Sequence, residues 1–130
     1  MSSIDRPLSG DVLRFHLEEE RTRVNDPPLL EGHGRNARTL AKVGPLRVTL
    51  VMVGAGGHMA THRSDGPISV QVLDGDIRFR LAGGEQRLVA GDLLILNAGV
   101  EHEVHSDGGG TFLLTLVHTE RTDPRPAAGR

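Results

Sequence analysis

The stretches GGHMATHRSDGPISVQVLDG, residues 56–75, and GDLLILNAGVEH, residues 91–102, decide how this chain folds. In the first, Gly56 is followed after five residues by His62, then by Ser64, Ile68 and Gly75. In the second, Gly91 leads after five residues to Asn97, then to Gly99 and His102. Fifteen residues separate Gly75 from Gly91. These glycines fall between segments of strand character, where a turn often needs a positive φ that glycine adopts without strain. Asp74-Gly75 is a strong hairpin dipeptide, and Asn97-Ala98-Gly99 reads as a further turn.

The flanking segments read as strands. Ile77, Phe79 and Leu81 alternate with Asp76, Arg78 and Arg80, the period-two pattern of a half-buried strand, and Gly83-Gly84 closes its hairpin. Ile68–Leu73 precedes it and Gln86–Val89 follows. Leu93–Leu96 is a continuous apolar run and is expected to be buried. Thr39–Val43, Leu46–Val53, Gly57–His62, Glu101–His105 and Thr111–Val117 bring the total to about nine short strands. Leu46–Val53 is apolar on both faces in its second half and is expected to be central.

Ahead of the strands, Gly10–Val24 has helical spacing. Val12, Leu13 and Leu17 fall on one side, with Arg14, Glu18–Glu20 and Arg21 on the other. Ser9 is the expected N-cap, and Pro27-Pro28 is expected to stop the helix. The chain thus divides into an arm and helix over 1–36, a barrel over 37–118 and a flexible polar tail over 119–130. Many short strands after one early helix argue an all-β sandwich or barrel.

Composition narrows the function classes. The 130 residues suit one domain, and a net charge of -2 offers no field for nucleic acid or an anionic membrane. Fourteen of the fifteen basic residues are arginine and none forms a run. There is no cysteine, which excludes disulfides and thiolate chemistry. Trp and Tyr are absent and only Phe15, Phe79 and Phe112 remain, a poor set for stacking sugars or bases. Residues 1–10 lack the apolar core of a secretory signal, and no apolar run is long enough to span a bilayer, so a cytoplasmic location is expected.

The two blocks together resemble the motifs of the type-2 cupins. The first family motif is glycine, five residues, His-x-His, three residues, glutamate, six residues, glycine. The second is glycine, five residues, Pro-x-Gly, two residues, histidine, three residues, asparagine. Gly56, His62, Gly75, Gly91, Gly99 and His102 fall on these positions without a gap, within roughly residues 38–118. The resemblance implies an all-β fold, a double-stranded β-helix or jelly-roll barrel of two antiparallel sheets with a pocket at one end. It also implies a homodimer.

The resemblance further implies a divalent metal held by two histidines and a glutamate of the first motif and a histidine of the second. Here only His62 and His102 match. Ser64 and Ile68 stand at the other two ligand positions, with Asn97 and Ser106 at the proline and asparagine positions. Two imidazoles without a carboxylate hold a divalent ion weakly. His58 is the next candidate ligand, but in a regular strand it lies on the same face as His62 at roughly 13 Å, so sharing an ion needs a bulge at Gly56-Gly57 or the preceding strand to bend it inward. His105, three residues after His102, points to the opposite face of a regular strand.

Two functional readings follow. In the first, the barrel binds a small, mostly apolar molecule with one polar end, in a pocket lined by His62, Ser64, Ile68, Val70, Val72, His102 and one of Leu94 or Leu96. In the second, it is a metal-dependent enzyme, a small dioxygenase, isomerase or decarboxylase, with Fe, Mn, Zn or Ni on His62, His102 and His58. A third role, in which the outer sheet face forms a dimer or docks to another protein, would use Leu46–Val53.

Other motifs carry less. His102-Glu103-Val104-His105 is one residue short of a zinc-protease signature and lies in a strand pattern. Gly54-Ala55-Gly56-Gly57 precedes a strand rather than the helix a dinucleotide site requires, and Gly32-His33-Gly34 reads as a loop. Ser64 beside His62 has no evident oxyanion hole. Arg35 and Arg38 could meet a carboxylate ligand; pairing with the acidic side of the helix at Glu18–Glu20 is the expected alternative.

Overall fold

The computed structural model describes residues 7–118; the expected tail at 119–130 lies outside the described residues. Two short helices, α1 (Leu17–Val24) and α2 (Pro27–His33), precede eight strands. These are β1 (Arg35–Val43), β2 (Leu46–Val53), β3 (His58–His62), β4 (Ile68–Leu81), β5 (Gly84–Val89), β6 (Leu93–Leu96), β7 (His102–His105) and β8 (Gly110–Val117).

Every pairing is antiparallel, in two sheets. The first runs β1-β2-β8-β4-β6 and the second β3-β7-β4-β5. This is the all-β jelly roll expected from the sequence. No helix among the described residues is long and apolar enough to cross a membrane.

Strand β4 belongs to both sheets. Its first half pairs with β6 and β8, and its second with β5 and β7. Asp74-Gly75 is therefore not the hairpin turn its composition suggested. It is a bend inside one 14-residue strand, with a register shift against β8 between Val72 and Asp74. Gly75 has φ 81°, and a Cβ there would lie 2.2 Å from the Gly109 carbonyl oxygen and 2.4 Å from the Gly110 Cα. The crossing strands touch backbone to backbone.

The inner faces of the sheets enclose the main core, which includes Val51, Val70, Ile77, Phe79, Val104 and Phe112, each at most 3% exposed. Phe79 and Phe112 meet edge to face at 5.9 Å, a favoured aromatic geometry. A second layer lies outside the first sheet, where Val24, Leu40 and Leu50 are buried with Phe15, Leu17 and Leu113 against them. Leu46–Val53, as β2, is central between β1 and β8, and its two faces serve these two cores.

Helix α1 is pinned by charge. Glu20 is 4% exposed and accepts from Arg38 Nε at 2.7 Å and Arg23 Nη1 at 2.8 Å. A buried carboxylate persists because two guanidinium groups meet it. Arg21 binds Asp74 at the bend of β4, tying the helix to the crossing strand.

The N-terminal segment differs from expectation. Residues 10–16 are not helical, and α1 starts after His16 with no side-chain cap. Just upstream, the Leu8 carbonyl accepts from Lys42 N–H, holding the arm beside β1. Pro27-Pro28 starts a helix as well as ending one. Proline fits the first turn because its missing N–H has no partner there. Asp26 caps α2 by accepting from Leu29 N–H, and Gly34 at φ 79° ends it.

Leu93–Leu96 was expected to be buried throughout. As the edge strand β6 it buries Leu96 and half-buries Leu94, while Leu93 and Ile95 point outward. The hairpin from β4 to β5 turns at Ala82-Gly83, since Leu81 pairs with Gly84.

Replacing Gly75 with Ala tests the crossing. Gly75→Ala should lose about 2–4 kcal/mol or fail to fold. Gly83→Ala meets nothing within 4 Å and should change stability by less than about 0.5 kcal/mol. Urea unfolding of both variants measures this, and equal effects would refute the role assigned to Gly75.

Candidate functional site

The site is built by the pairing of β3 with β7. His58 lies opposite His105, Met59 opposite Val104 and His62 opposite His102. Between Met59 and His62, β3 advances three residues while β7 advances two. This one-residue bulge reverses the inward–outward alternation along β3. On β7, His102 and Val104 are buried while Glu103 and His105 are half-buried. His62 therefore joins His102 on the inner side, and Met59 joins Val104.

His58 goes the other way. It is exposed and stacks on His105 with ring centroids 5.3 Å apart, on the outer face of the second sheet. The expectation that His58 and His62 share a face fails because of the bulge. A bulge at Gly56-Gly57 or a bend from the preceding strand was needed to bring His58 to an ion shared with His62; the bulge lies instead between Met59 and His62 and turns His58 away. His58 is thus removed from the candidate ligand set.

The inner pair has a defined geometry. His62 Nε2 and His102 Nε2 are 3.1 Å apart, and the rings meet edge to face with centroids at 4.3 Å. His62 Nδ1 lies 3.1 Å from the Ala60 carbonyl oxygen, and His102 Nδ1 lies 3.0 Å from the Val100 carbonyl oxygen. A carbonyl only accepts, so both Nδ1 atoms carry hydrogen and donate. Two neutral rings then direct two Nε2 lone pairs at one another. The contact is favourable when a proton or another electrophile lies between them, or when a ligand donor takes the lone pairs.

The two rings differ in environment. His102 is 3% exposed, whereas His62 stands at the exposed rim. Phe79 packs against His102 with ring centroids at 5.7 Å. Burial pushes the imidazolium form of His102 below its ordinary pKa range; the Val100 carbonyl opposes this in part, and nearby His62 adds to the lowering. Arg63 and Glu101, each next in sequence to one histidine, form an exposed ion pair at 2.6 Å beside the rim.

The other expected pocket residues are placed as follows. Ser64 lies just past the end of β3, and its carbonyl accepts from Gly99 N–H at 2.9 Å. Ile68, Val70 and Val72 face inward and are 4%, 0% and 1% exposed, packed in the main core. Leu96 is buried beside them and Leu94 packs against the same cluster. These aliphatic side chains are packed in the main core, His102 is buried and His62 alone stands at the exposed rim. Two clefts of about 490 Å³ lie elsewhere, one between α2 and the loop at Gly54–Gly57, the other along the N-terminal arm and α1.

A resident metal can be tested against these residues. Both rings have their Nδ1 oriented by a backbone carbonyl, the arrangement that prepares a ligating Nε2. Beyond that the set is incomplete. Among the described residues no group of three or more His, Cys, Asp or Glu is arranged to hold an ion. Ile68 puts a buried aliphatic chain where the motif carries a carboxylate. The side chains present do not make a complete metal site.

Two contacts were not legible as parts of this site. Phe79, read as an inward strand residue, backs His102 because β4 pairs with β7 through Phe79 and Val104. Ser106, at the motif's asparagine position, is 2% exposed; its hydroxyl donates to the Asp76 carbonyl at 2.7 Å and accepts from Gly109 N–H at 2.8 Å. That makes it a brace for the crossing of β4, and only its motif position marked it.

Comparison with known proteins gives the same fold. No curated protein matches the sequence. A conserved protein of unknown function from Streptococcus pyogenes is 24% identical, with a TM-score of 0.62 over 68% of this chain and 77% of its own. A cupin-2 domain containing protein from Shewanella frigidimarina NCIMB 400 is 17% identical, with a TM-score of 0.66 over 80% and 94%. Salicylate 1,2-dioxygenase from Pseudoaminobacter salicylatoxidans, solved with gentisate, is 18% identical, with a TM-score of 0.70 over 79% of this chain but 32% of that enzyme. At these identities the likeness speaks for the fold alone. The sequence profile of the cupin domain matches residues 49–118, more than half of the chain, and the chain belongs to that family.

Proposed function

We propose that this chain binds a small molecule at the mouth of its barrel, with the His62–His102 pair as the polar anchor. One observation carries the reading: two Nε2 atoms 3.1 Å apart, both rings oriented by backbone carbonyls, one ring buried and the other exposed. A ligand with an apolar body and one hydroxyl or acid O–H suits it. The O–H donates to an Nε2 lone pair, and the body lies over the rim. His102, being buried and favouring its neutral form, supplies the acceptor, while His62 at the rim meets solvent and ligand together.

A second reading, a metal-dependent enzyme, is favoured by one distance. Two nitrogens that each bind one ion at about 2.0–2.1 Å stand roughly 3.0–3.4 Å apart, depending on the angle. The observed 3.1 Å falls in that range. The two imidazoles would be the protein's share of the coordination, and an ion there would supply Lewis acidity. A salicylate 1,2-dioxygenase among the structural neighbours shares the fold at 18% identity, which is in keeping with this reading.

Metal content separates the readings. Protein purified without chelator should hold well below one Fe, Mn, Zn or Ni per chain, and adding these ions should leave its melting temperature unchanged. A stoichiometric ion that is lost in both His62→Ala and His102→Ala would establish the second reading instead. Under the first, small phenols and carboxylic acids should raise the melting temperature of the wild type and leave both variants unmoved.

Acid should weaken the fold through His102. Its folded pKa lies below the unfolded value of about 6.5, so the unfolded chain takes up the proton first. The stability tied to the neutral ring is present above about pH 6.5 and is lost as the pH falls toward the folded pKa. Unfolding curves between pH 7.5 and 5.5 should fall more steeply for the wild type than for His102→Leu. Parallel curves would remove His102 from this role.

A further inference from the structure

The histidine pair has a charged neighbour on each side. His62 is the last residue of β3 and His102 the first of β7, and the two are register partners. One residue further out on each chain stand Arg63 and Glu101. They lie just past the ends of the two strands, so the pleat does not hold either side chain to the outer face. Arg63 Nη2 donates to Glu101 Oε2 at 2.6 Å, across 38 residues of sequence. The ion pair therefore bridges the same two strands as the histidines, at their open end.

Other arginines have evident work in the fold. Arg38 and Arg23 neutralise the buried Glu20, and Arg21 ties α1 to the bend of β4. Arg78 holds Glu85 and Asp107 on the outer face of the second sheet. The Arg63–Glu101 pair joins two strands that their own ladder already joins. Its side chains are 64% and 56% exposed. Such a pair adds little to stability, because water screens it and two long side chains lose freedom to make it. Opening it therefore costs the fold little. Its guanidinium is meanwhile within one arginine side chain of a group resting on the exposed ring of His62, the residue before it.

We infer that Arg63 reads a carboxylate on the ligand, and that the ligand is a small hydroxy acid. The inference rests on the histidine pair being the ligand's polar anchor. The hydroxyl O–H donates to an Nε2 lone pair, and the carboxylate takes the place of Glu101 on Arg63. One carboxylate replaces another on the same guanidinium, whose planar fork suits two parallel N–H···O bonds. A neutral ligand offers Arg63 no charge and leaves the ion pair closed. Glu101 suits a ligand contact less well. Its side chain is shorter and it adjoins the buried His102, whereas Arg63 adjoins the exposed His62. Glu101 instead keeps Arg63 at the mouth and competes with the ligand for it.

Calorimetric titration of the full-length chain near neutral pH with meta-hydroxybenzoate, and with phenol as the neutral reference, tests the inference. The quantity read is the ratio of the two affinities. The wild type should favour meta-hydroxybenzoate by about tenfold, as one charge-assisted contact provides. Arg63→Gln should bring the ratio to about one, and Arg63→Lys should keep part of it, since a point charge replaces the fork. Glu101→Gln should raise the ratio about threefold, because the competing carboxylate is gone. The inference is overturned if the wild type shows no preference, or if the preference survives Arg63→Gln. It is equally overturned if meta-hydroxybenzylamine binds better than either, which would make Glu101 the reader. Failure of the histidine anchor has its own signature. Phenol would then bind His62→Ala and His102→Ala as tightly as the wild type, or would not bind the wild type, and the inference would fall with the anchor.

Discussion

Strand β4 serves two sheets at once, and it does so through a residue with no side chain. At Gly75 its backbone passes within contact of Gly109 and Gly110 at the start of β8, leaving no volume for a Cβ. The first half of the strand builds the wall of β8 and β6, and the second builds the wall of β7 and β5. Arg21 reaches Asp74 from outside, and Ser106 braces Asp76 and Gly109 from the β7–β8 connection. These contacts converge within three residues of the bend. The closed core, and with it the placement of β7 over Phe79, follows from that crossing.

A second local irregularity decides the chemistry. One extra residue in β3 sends His62 inward to His102 and His58 outward to His105. Four histidines on two adjacent short strands thus become two unrelated pairs, one converging on a point inside the barrel and one stacked on its surface. The inner pair takes its tautomers from the backbone carbonyls of Ala60 and Val100, each two residues before its histidine. The same local geometry recurs on both sides of the mouth. The matched local geometry brings the two Nε2 atoms together without any carboxylate to orient them.

The two outer surfaces show how one fold treats its exposed faces differently. Charged residues on the second sheet pair across strands, where ion pairs cost little and contribute little. The first sheet instead buries part of its outer face under α1, using the Glu20–Arg38 pair as the polar link, and leaves Leu93, Ile95 and Val117 exposed. Surfaces of this second kind are where association gains most from the loss of water.

Much of this was legible in the residues. The spacing of Gly56, His62, Gly75, Gly91, Gly99 and His102 indicated a cupin barrel, and the alternation Ile77, Phe79, Leu81 indicated an inward strand face. Both are local signals, set by period-two side-chain geometry and by the need for glycine at tight backbone. The pairing of Arg38 with the acidic helix was available as a charge argument. The sequence was misleading where a local signal has two physical outcomes. Asp74-Gly75 suits a turn and also a bend, and only contact with β8 selects the bend. Leu93–Leu96 suits a run buried on both faces and also a strand buried on one, and the tertiary packing buries Leu96 while Leu93 and Ile95 stay exposed. His58 and His62 share a face in a regular strand and not in a bulged one, and the bulge exists only in register with β7. The sequence alone determined the fold family and the two histidines that could form a centre. Tertiary pairing decided which way each histidine points and which face remains open, because register is a property of two strands and is written in neither one alone.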